Sequence, residues 1–461
     1  MDNFKLLRFI YIAYFFFLPL GTFVQLPSND GVWNLFEGMS RDIMLFGCML
    51  IFLNNYRLKT NNSIKAFKYI YLFMVIYSFC AATVLSMTPL ELYRTPYRAI
   101  IGDILLYLEV LLSIYFNYFC LTRVINIDEV LKLVKYQIIL IISFGFFQFL
   151  ALIGNSMAVP IYKSMSSFLS IVPLEKLLYL DRGLTIFLSE PASLATYCFI
   201  LVPYLFSNVL YSKHIDKYLS LFALILFGIL FYFSQSTQVI GCVLLSAFSA
   251  IIILIRGRIP NYIFIFVFLL GGVSMYYAYV SESSLGLDEK FAESGNVESV
   301  IYKFQDRENY STMMRASTVV NDVKIFINNY GIGVGDGNQG YWYKDNVPEW
   351  CLSSVEVQDI ISSHTIPNGG GAFFPSFFSA FGMLGAIALI MFLRKYRKAY
   401  KIFQINGNRR VLFIYQIAIV IFLFSGWYTM GIKKSETLIF ILTLPCISSF
   451  YQVNTYNKRN N

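Results

Sequence analysis

The stretch Ala372–Lys398, AFFPSFFSAFGMLGAIALIMFLRKYRK, decides the class of this chain. Its apolar part, 372–393, can cross a bilayer core of roughly 30 Å, which takes about 20 residues of helix. It then meets Arg394, Lys395, Arg397 and Lys398, and a basic block of this kind stays on the cytoplasmic side of a membrane. Similar apolar runs fill most of the sequence. About twelve spans are expected on this template, centred on 8–24, 42–55, 67–87, 99–121, 133–153, 191–211, 217–233, 237–255, 261–280, 372–393, 411–429 and 435–452. The expected fold is all-α: a polytopic membrane protein with about 12 transmembrane helices and one large, partly helical outer loop. The chain divides into nine spans over 1–280, the loop over 281–371, and three spans over 372–461.

Composition agrees. Of 461 residues, 57% are hydrophobic and 14% charged, outside the usual soluble range. A net charge of +9 invites a nucleic-acid reading, but the Lys and Arg residues sit in short loops, where membrane orientation explains them. No basic stripe remains for a phosphate backbone. Six of the 7 cysteines lie in apolar runs and only Cys351 lies in the loop, so no disulfide framework is expected. No CxxC or Cys/His cluster suggests a metal. The stretch Lys5 to Leu20 has the charge and apolar core of a signal peptide. It lacks a small-x-small cleavage site and reads as a retained first helix.

The short loops orient the chain. Arg57, Lys59, Lys65 and Lys68 fall on one side, with Arg123, Lys132, Lys135, Lys213, Lys217, Arg256, Arg258 and the 394–410 cluster. All belong to even-numbered connections, which places that side and both termini in the cytoplasm and the 281–371 loop outside.

Within the loop, Ser311 opens an expected helix running to about Asn329. Ala316, Val319, Val320, Val323, Ile327 and Tyr330 recur on it at helical spacing. Asn328-Asn329-Tyr330-Gly331 is a stop signal. Residues 338–370 read as irregular.

Five features carry possible chemistry, each with a bland alternative, which for His364 is an incidental loop histidine. Arg182, in Asp181-Arg182-Gly183-Leu184, precedes Ser189-Glu190-Pro191 at the mouth of the sixth span. It reads equally as a snorkelling interfacial arginine before a helix-opening proline, and Glu190 suits a helix entrance. Arg315 is a solvated helical arginine or a fork-shaped grip for phosphate. The run Gly331-Ile332-Gly333-Val334-Gly335-Asp336-Gly337 follows a helix rather than a strand, so it is no dinucleotide fingerprint. It is a turn, or a loop whose N–H groups approach an anion. His364 is one of 2 histidines and the one in the outer loop, His214 falling in a cytoplasmic turn. Glu109, mid-span, is either an intramembrane functional carboxylate or a protonated helix-to-helix hydrogen bonder.

Together these pieces resemble the O-antigen polymerase and O-antigen ligase superfamily, membrane glycosyltransferases of the GT-C type. Arg182-Gly183-Leu184 through Phe187, Ser189, Glu190 and Pro191 is similar to the family's R-x-G-x-F-x-E-P stretch. Here Gly183 comes one place early, and two residues separate Phe187 from Glu190. Arg315 followed by a helix and Asn329-Tyr330-Gly331-Ile332-Gly333-Val334-Gly335 resembles the arginine and N-P-x-G-x-G-x-G run of the family's periplasmic loop. His364 with Asn368 resembles a spread His-Asn motif, with Thr365-Ile366-Pro367 intervening. Ser234-Gln235-Ser236-Thr237-Gln238 is similar to a further short polar motif.

The resemblance implies a multi-pass enzyme of the bacterial inner membrane with its active site facing the periplasm. It would join undecaprenyl-pyrophosphate-linked oligosaccharides by inverting transfer, with no metal, cofactor or nucleotide sugar. Its catalytic residues would be His364, Arg182 and Arg315. Glu190, Gly333, Gly335, Asn368 and Gln238 would contact substrate. Membrane lipids and a chain-length regulator protein are the other implied partners. Two arginines can stabilise a departing lipid pyrophosphate without a metal, and a histidine can serve as general base near neutral pH. The polymerase branch is the main expectation, with the ligase, whose acceptor is lipid A core, beside it. A lipid-linked oligosaccharide flippase or other transporter is the alternative from another class. The long outer loop and the lack of a visible two-fold repeat weigh against it.

Overall fold

A computed structural model describes residues 3–20, 39–56, 61–87, 95–169, 173–179, 183–188, 191–213, 215–234, 236–280, 310–362, 372–428 and 437–447. Every regular element among them is helical. In chain order they are α1 (Asn3–Phe17), α2 (Met39–Leu53), α3 (Asn62–Ser86), α4 (Pro96–Arg123), α5 (Ile127–Leu152), α6 (Ala158–Leu169), α7 (Leu174–Tyr179) and α8 (Tyr197–Tyr211). There follow α9 (Ile215–Phe233), α10 (Thr237–Arg256), α11 (Asn261–Met275), α12 (Tyr310–Asn328), α13 (Val355–Ser362), α14 (Phe373–Asn406) and α15 (Arg409–Ser425). The last is α16 (Thr437–Ile447).

Local sequence sets the helix ends. Asn61 caps α3 by accepting from the Ile64 amide at 2.9 Å, and Asn126 caps α5 with Asp128 and Glu129 in its first turn. Pro96 opens α4 where its missing N–H costs nothing. Gly257, at φ 73°, closes α10 in the left-handed conformation.

A helix stands at every expected span position, and among the described residues 7 helices are both long and apolar enough to cross a membrane: α3, α4, α5, α8 extended back to Leu194, α9, α10 and α14. The helices at the remaining positions are shorter than that over the described residues. The architecture is that of a membrane-embedded helical protein. Its outward faces carry exposed Ile76, Val84, Ile255, Ile265 and Ile387, which suits lipid rather than water. α8 is the most enclosed span, 72% buried along its apolar window, and packs against α9, α10 and α15.

Polar side chains tie the bundle where no hydrophobic force between helices operates. Tyr11 donates to Asn117 Oδ1 at 2.9 Å and Asn117 donates to the Tyr14 hydroxyl at 3.0 Å, joining α1 to α4. Gln137 donates to the Phe15 carbonyl at 2.7 Å, joining α5 to α1.

From α12 onward the chain departs from expectation in three places. Residues 339–362 are not irregular: short turns at Gln339–Trp342, Tyr343–Asn346 and Glu349–Cys351 lead into α13. On α12 the apolar stripe is buried at Ala316, Val319 and Val320, whereas Ile327 is 62% and Tyr330 94% exposed. And α14 is broken at Gly382, whose φ of 60° and ψ of −152° are not helical. α6 and α7, which the sequence reading did not place, are bridged by Lys163 and Glu175 at 2.7 Å.

Candidate functional site

Two pieces of the sequence-predicted site are anchored to different parts of the bundle. The first begins at Gly183, the residue after Arg182. A Cβ on Gly183 would stand 2.5 Å from the Phe233 carbonyl oxygen and from Ser234 backbone atoms, so only glycine lets the two backbones meet. Leu184 N–H donates to that Phe233 carbonyl at 3.0 Å. The stretch after Arg182 and the start of the Ser234–Gln238 motif are therefore in direct contact.

Residues 184–188 are buried yet not helical, so their backbone groups need other partners. Gln148 of α5 supplies them. Its Oε1 accepts from Ile186 N–H at 2.7 Å and from Thr185 N–H at 3.2 Å. Its Nε2 donates to the Tyr162 hydroxyl at 2.7 Å and to Thr185 Oγ1 at 3.2 Å. Leaving both amides unpaired would cost about 2–6 kcal/mol, at roughly 1–3 kcal/mol per buried donor. The arrangement also holds Ile186 at φ 55°, a conformation rare for a β-branched residue and one that needs surrounding support. Phe187 adds some, stacked on Phe144 with ring centroids 4.1 Å apart.

The second piece is α12 with the glycine run. α12 ends in a Schellman motif: Gly331 N–H donates to the Phe326 carbonyl at 2.8 Å and Tyr330 N–H to the Ile327 carbonyl at 3.0 Å. Tyr330 takes the left-handed position there, at φ 53°. The run then docks into the break in α14. Val334 N–H donates to the Ser379 carbonyl at 3.0 Å, Gly335 N–H to the Ala380 carbonyl at 2.8 Å, and Met383 N–H to the Gly331 carbonyl at 2.8 Å. These bonds replace the helical ones that Gly382 interrupts. Tyr77 of α3 closes the joint, its hydroxyl accepting from Gly333 N–H at 2.9 Å and donating to the Gly333 carbonyl at 3.0 Å.

The amides from Gly331 to Gly335 thus donate inside the protein, and Asp336 N–H lies 3.4 Å from Ser78 Oγ. Gly333 and Gly335, implied as substrate contacts by the resemblance, are buried. Their smallness serves packing: a Cβ on Gly333 would lie 2.2 Å from the Ala380 oxygen, and one on Gly335, at φ +81°, 2.9 Å from Ala81 Cβ.

Around this joint is a polar cluster that the sequence reading missed. Asp336 is 1% exposed and accepts from the Tyr107 hydroxyl of α4 and from Gln339 Nε2 at 3.1 Å. Asp322 of α12 is fully buried and accepts from Ser379 Oγ of α14 at 2.8 Å. Asn346 donates to Asn321 at 3.0 Å, and Asn321 donates to the Gln339 carbonyl at 3.0 Å. Ser317 and Tyr343 share a 2.6 Å hydrogen bond. Burial pushes the Tyr343 phenol up to about 12, against the opposing effect of that bond, so it stays a neutral hydroxyl. One signal was available: Asp322 falls on the inward stripe of α12, three residues after Val319.

Arg315 lies in the second turn of α12 and is half-buried. Its guanidinium has no hydrogen bond or ion pair to any other described residue. It stands within electrostatic reach of the Tyr279 hydroxyl. The neighbouring apolar side chains are fixed: Met313, Ala316, Val319 and Val320 pack with Met275, Tyr279, Cys351, Val357 and Ala372. Gln238 is half-buried in the first turn of α10, and Glu109 is half-buried in α4. Arg182, Glu190, His364 and Asn368 lie outside the described residues. No group of three or more His, Cys, Asp or Glu side chains suited to a metal occurs among the described residues.

Compared with known proteins, the chain matches no family model and no curated sequence.

Proposed function

We propose that this protein is a polysaccharide polymerase that joins lipid-pyrophosphate-linked oligosaccharide repeat units at the outer face of a bacterial inner membrane. The observation that carries the reading is Arg315, a half-buried guanidinium with no partner among the described residues, on a helix packed rigidly at the ends of apolar spans. Its donor fork suits a pyrophosphate. In the reaction, the acceptor hydroxyl attacks the anomeric carbon of the donor chain, the bond to the lipid pyrophosphate breaks, and the configuration inverts. Arg315 and Arg182 stabilise the charge on the departing pyrophosphate. His364 takes or guides the proton of the attacking hydroxyl. The Lys and Arg bias of the short loops puts 281–371 on the side where such substrates are joined.

Arg315→Lys tests the reading, since it keeps the charge but loses the bidentate fork. Losing one charge-assisted hydrogen bond, at about 1.5–3 kcal/mol, should slow polymer formation about 10- to 100-fold at equal protein level. The check is the initial rate of chain extension by purified protein. An unchanged rate in both Arg315→Lys and Arg182→Lys would remove the assignment.

A further inference from the structure

We infer that the glycine joint is a re-entrant element: the end of α12 and residues 331–336 enter the bilayer core, with Ile327, Tyr330 and Ile332 set against lipid acyl chains. This does not rest on the glycosyl-transfer reading.

Three candidate spans serve as rulers, at about 1.5 Å of rise per helical residue. On α3, Gly335 approaches Ala81 and Ser78, five and eight residues before the helix ends at Ser86, or about 8–12 Å inward. On α14, Ala380 bonds to the run seven residues after the helix starts at Phe373 and before its break at Gly382, or about 10 Å inward. On α4, Tyr107 reaches Asp336 from eleven residues after Pro96, about 16 Å from that end before its own side chain is allowed for. The start of α14 is itself no outlying point. Phe374 packs on Phe268 of α11 at 4.9 Å, and Phe268 lies seven residues before the end of that helix at Met275.

The chemistry of the joint agrees with that depth. Irregular backbone in a bilayer core is tolerated only where its polar groups are satisfied by protein, and the amides from Gly331 to Gly335 all donate internally. Asp336, Asn338 and Gln339 face inward, each 1% exposed or less. The opposite edge is apolar and open: Ile327 at 62%, Tyr330 at 94% and Ile332 at 66%. It is continuous with the exposed apolar face of α14. Met383 bonds to Gly331, and Met383, Leu384, Ile387 and Met391 extend the surface down the span. The continuity assigns acyl chains as the occupant of this edge.

Site-directed spin labelling in phosphatidylethanolamine/phosphatidylglycerol vesicles tests it. Cys48 and Cys80, the cysteines that are not buried, are replaced by alanine. Labels are then placed singly at Tyr330→Cys, Ile332→Cys, Ile387→Cys as the lipid reference and Glu356→Cys as the water reference. All four sites are exposed, so labelling should leave the fold intact, checked by elution as a single species like the unlabelled protein. Collision with oxygen should exceed collision with a water-soluble nickel chelate severalfold at 330 and 332, as at 387, with the reverse at 356. A nickel-dominated profile at 330 and 332 would overturn the inference. So would protection from both reagents, which would mean that protein rather than lipid covers the edge.

Discussion

His364→Ala is expected to cut chain extension about 10²–10⁴-fold, the usual worth of general-base help, while leaving protein abundance unchanged. The chain has 2 histidines, and His214 falls in a loop read as cytoplasmic, so no second imidazole can substitute on the outer side. On the proposed reaction the two arginines meet the charge on the departing pyrophosphate, and the remaining demand falls on activating or aligning the acceptor hydroxyl. Initial rates with a lipid-linked repeat unit measure the effect, and full-length product at the wild-type rate would retire the role. A residual rate that recovers as pH rises would mark His364 as the base, because hydroxide replaces a missing base but not a missing clamp.

Gly333→Ala should produce a large structural effect. Its Cβ would sit 2.2 Å from the Ala380 carbonyl oxygen and 2.5 Å from Ala380 C, both backbone atoms that no rotamer change can move. Overpacking of this kind costs about 1–3 kcal/mol or more. Gly382→Ala meets the Gly331 oxygen at 2.3 Å and must also hold φ +60°, so it should be at least as damaging. Gly228 and Gly241 are the controls: both lie inside helices with nothing within 4 Å of an added Cβ. There alanine should be neutral or gain about 0.5–1 kcal/mol. Thermal unfolding midpoints of the purified variants check the contrast, and an unchanged midpoint for Gly333→Ala would contradict the docking described here.

Much of this architecture is legible in the chain because apolar run length and loop charge are local properties. Helices stand where the runs stand. What the chain conceals is non-local. The glycine run reads as a turn or an anion loop because its partner, the broken turn at Ser379–Gly382, lies more than 40 residues away. Gly382 looks like any helical glycine until the Gly331 carbonyl takes the Met383 amide. Ile327 and Tyr330 misled for another reason. Periodicity detects apolar side chains but cannot tell a protein core from a face left open beside lipid. Of the candidate site, the contact between Gly183 and the Ser234 motif was foreshadowed only by two polar knots at span mouths. Gln148, which holds that contact in place, gave no signal beyond being a polar residue inside an apolar span.

The central claim is a reaction, and one measurement addresses it directly. Purified protein in vesicles is given a single synthetic undecaprenyl-pyrophosphate-linked repeat unit, with no nucleotide sugar and no lipid A core, and the products are separated by size. The account predicts a ladder whose rungs differ by one repeat unit, with undecaprenyl pyrophosphate released at each step. Substrate that keeps its original length, whether left in place or carried to the other leaflet, would contradict it.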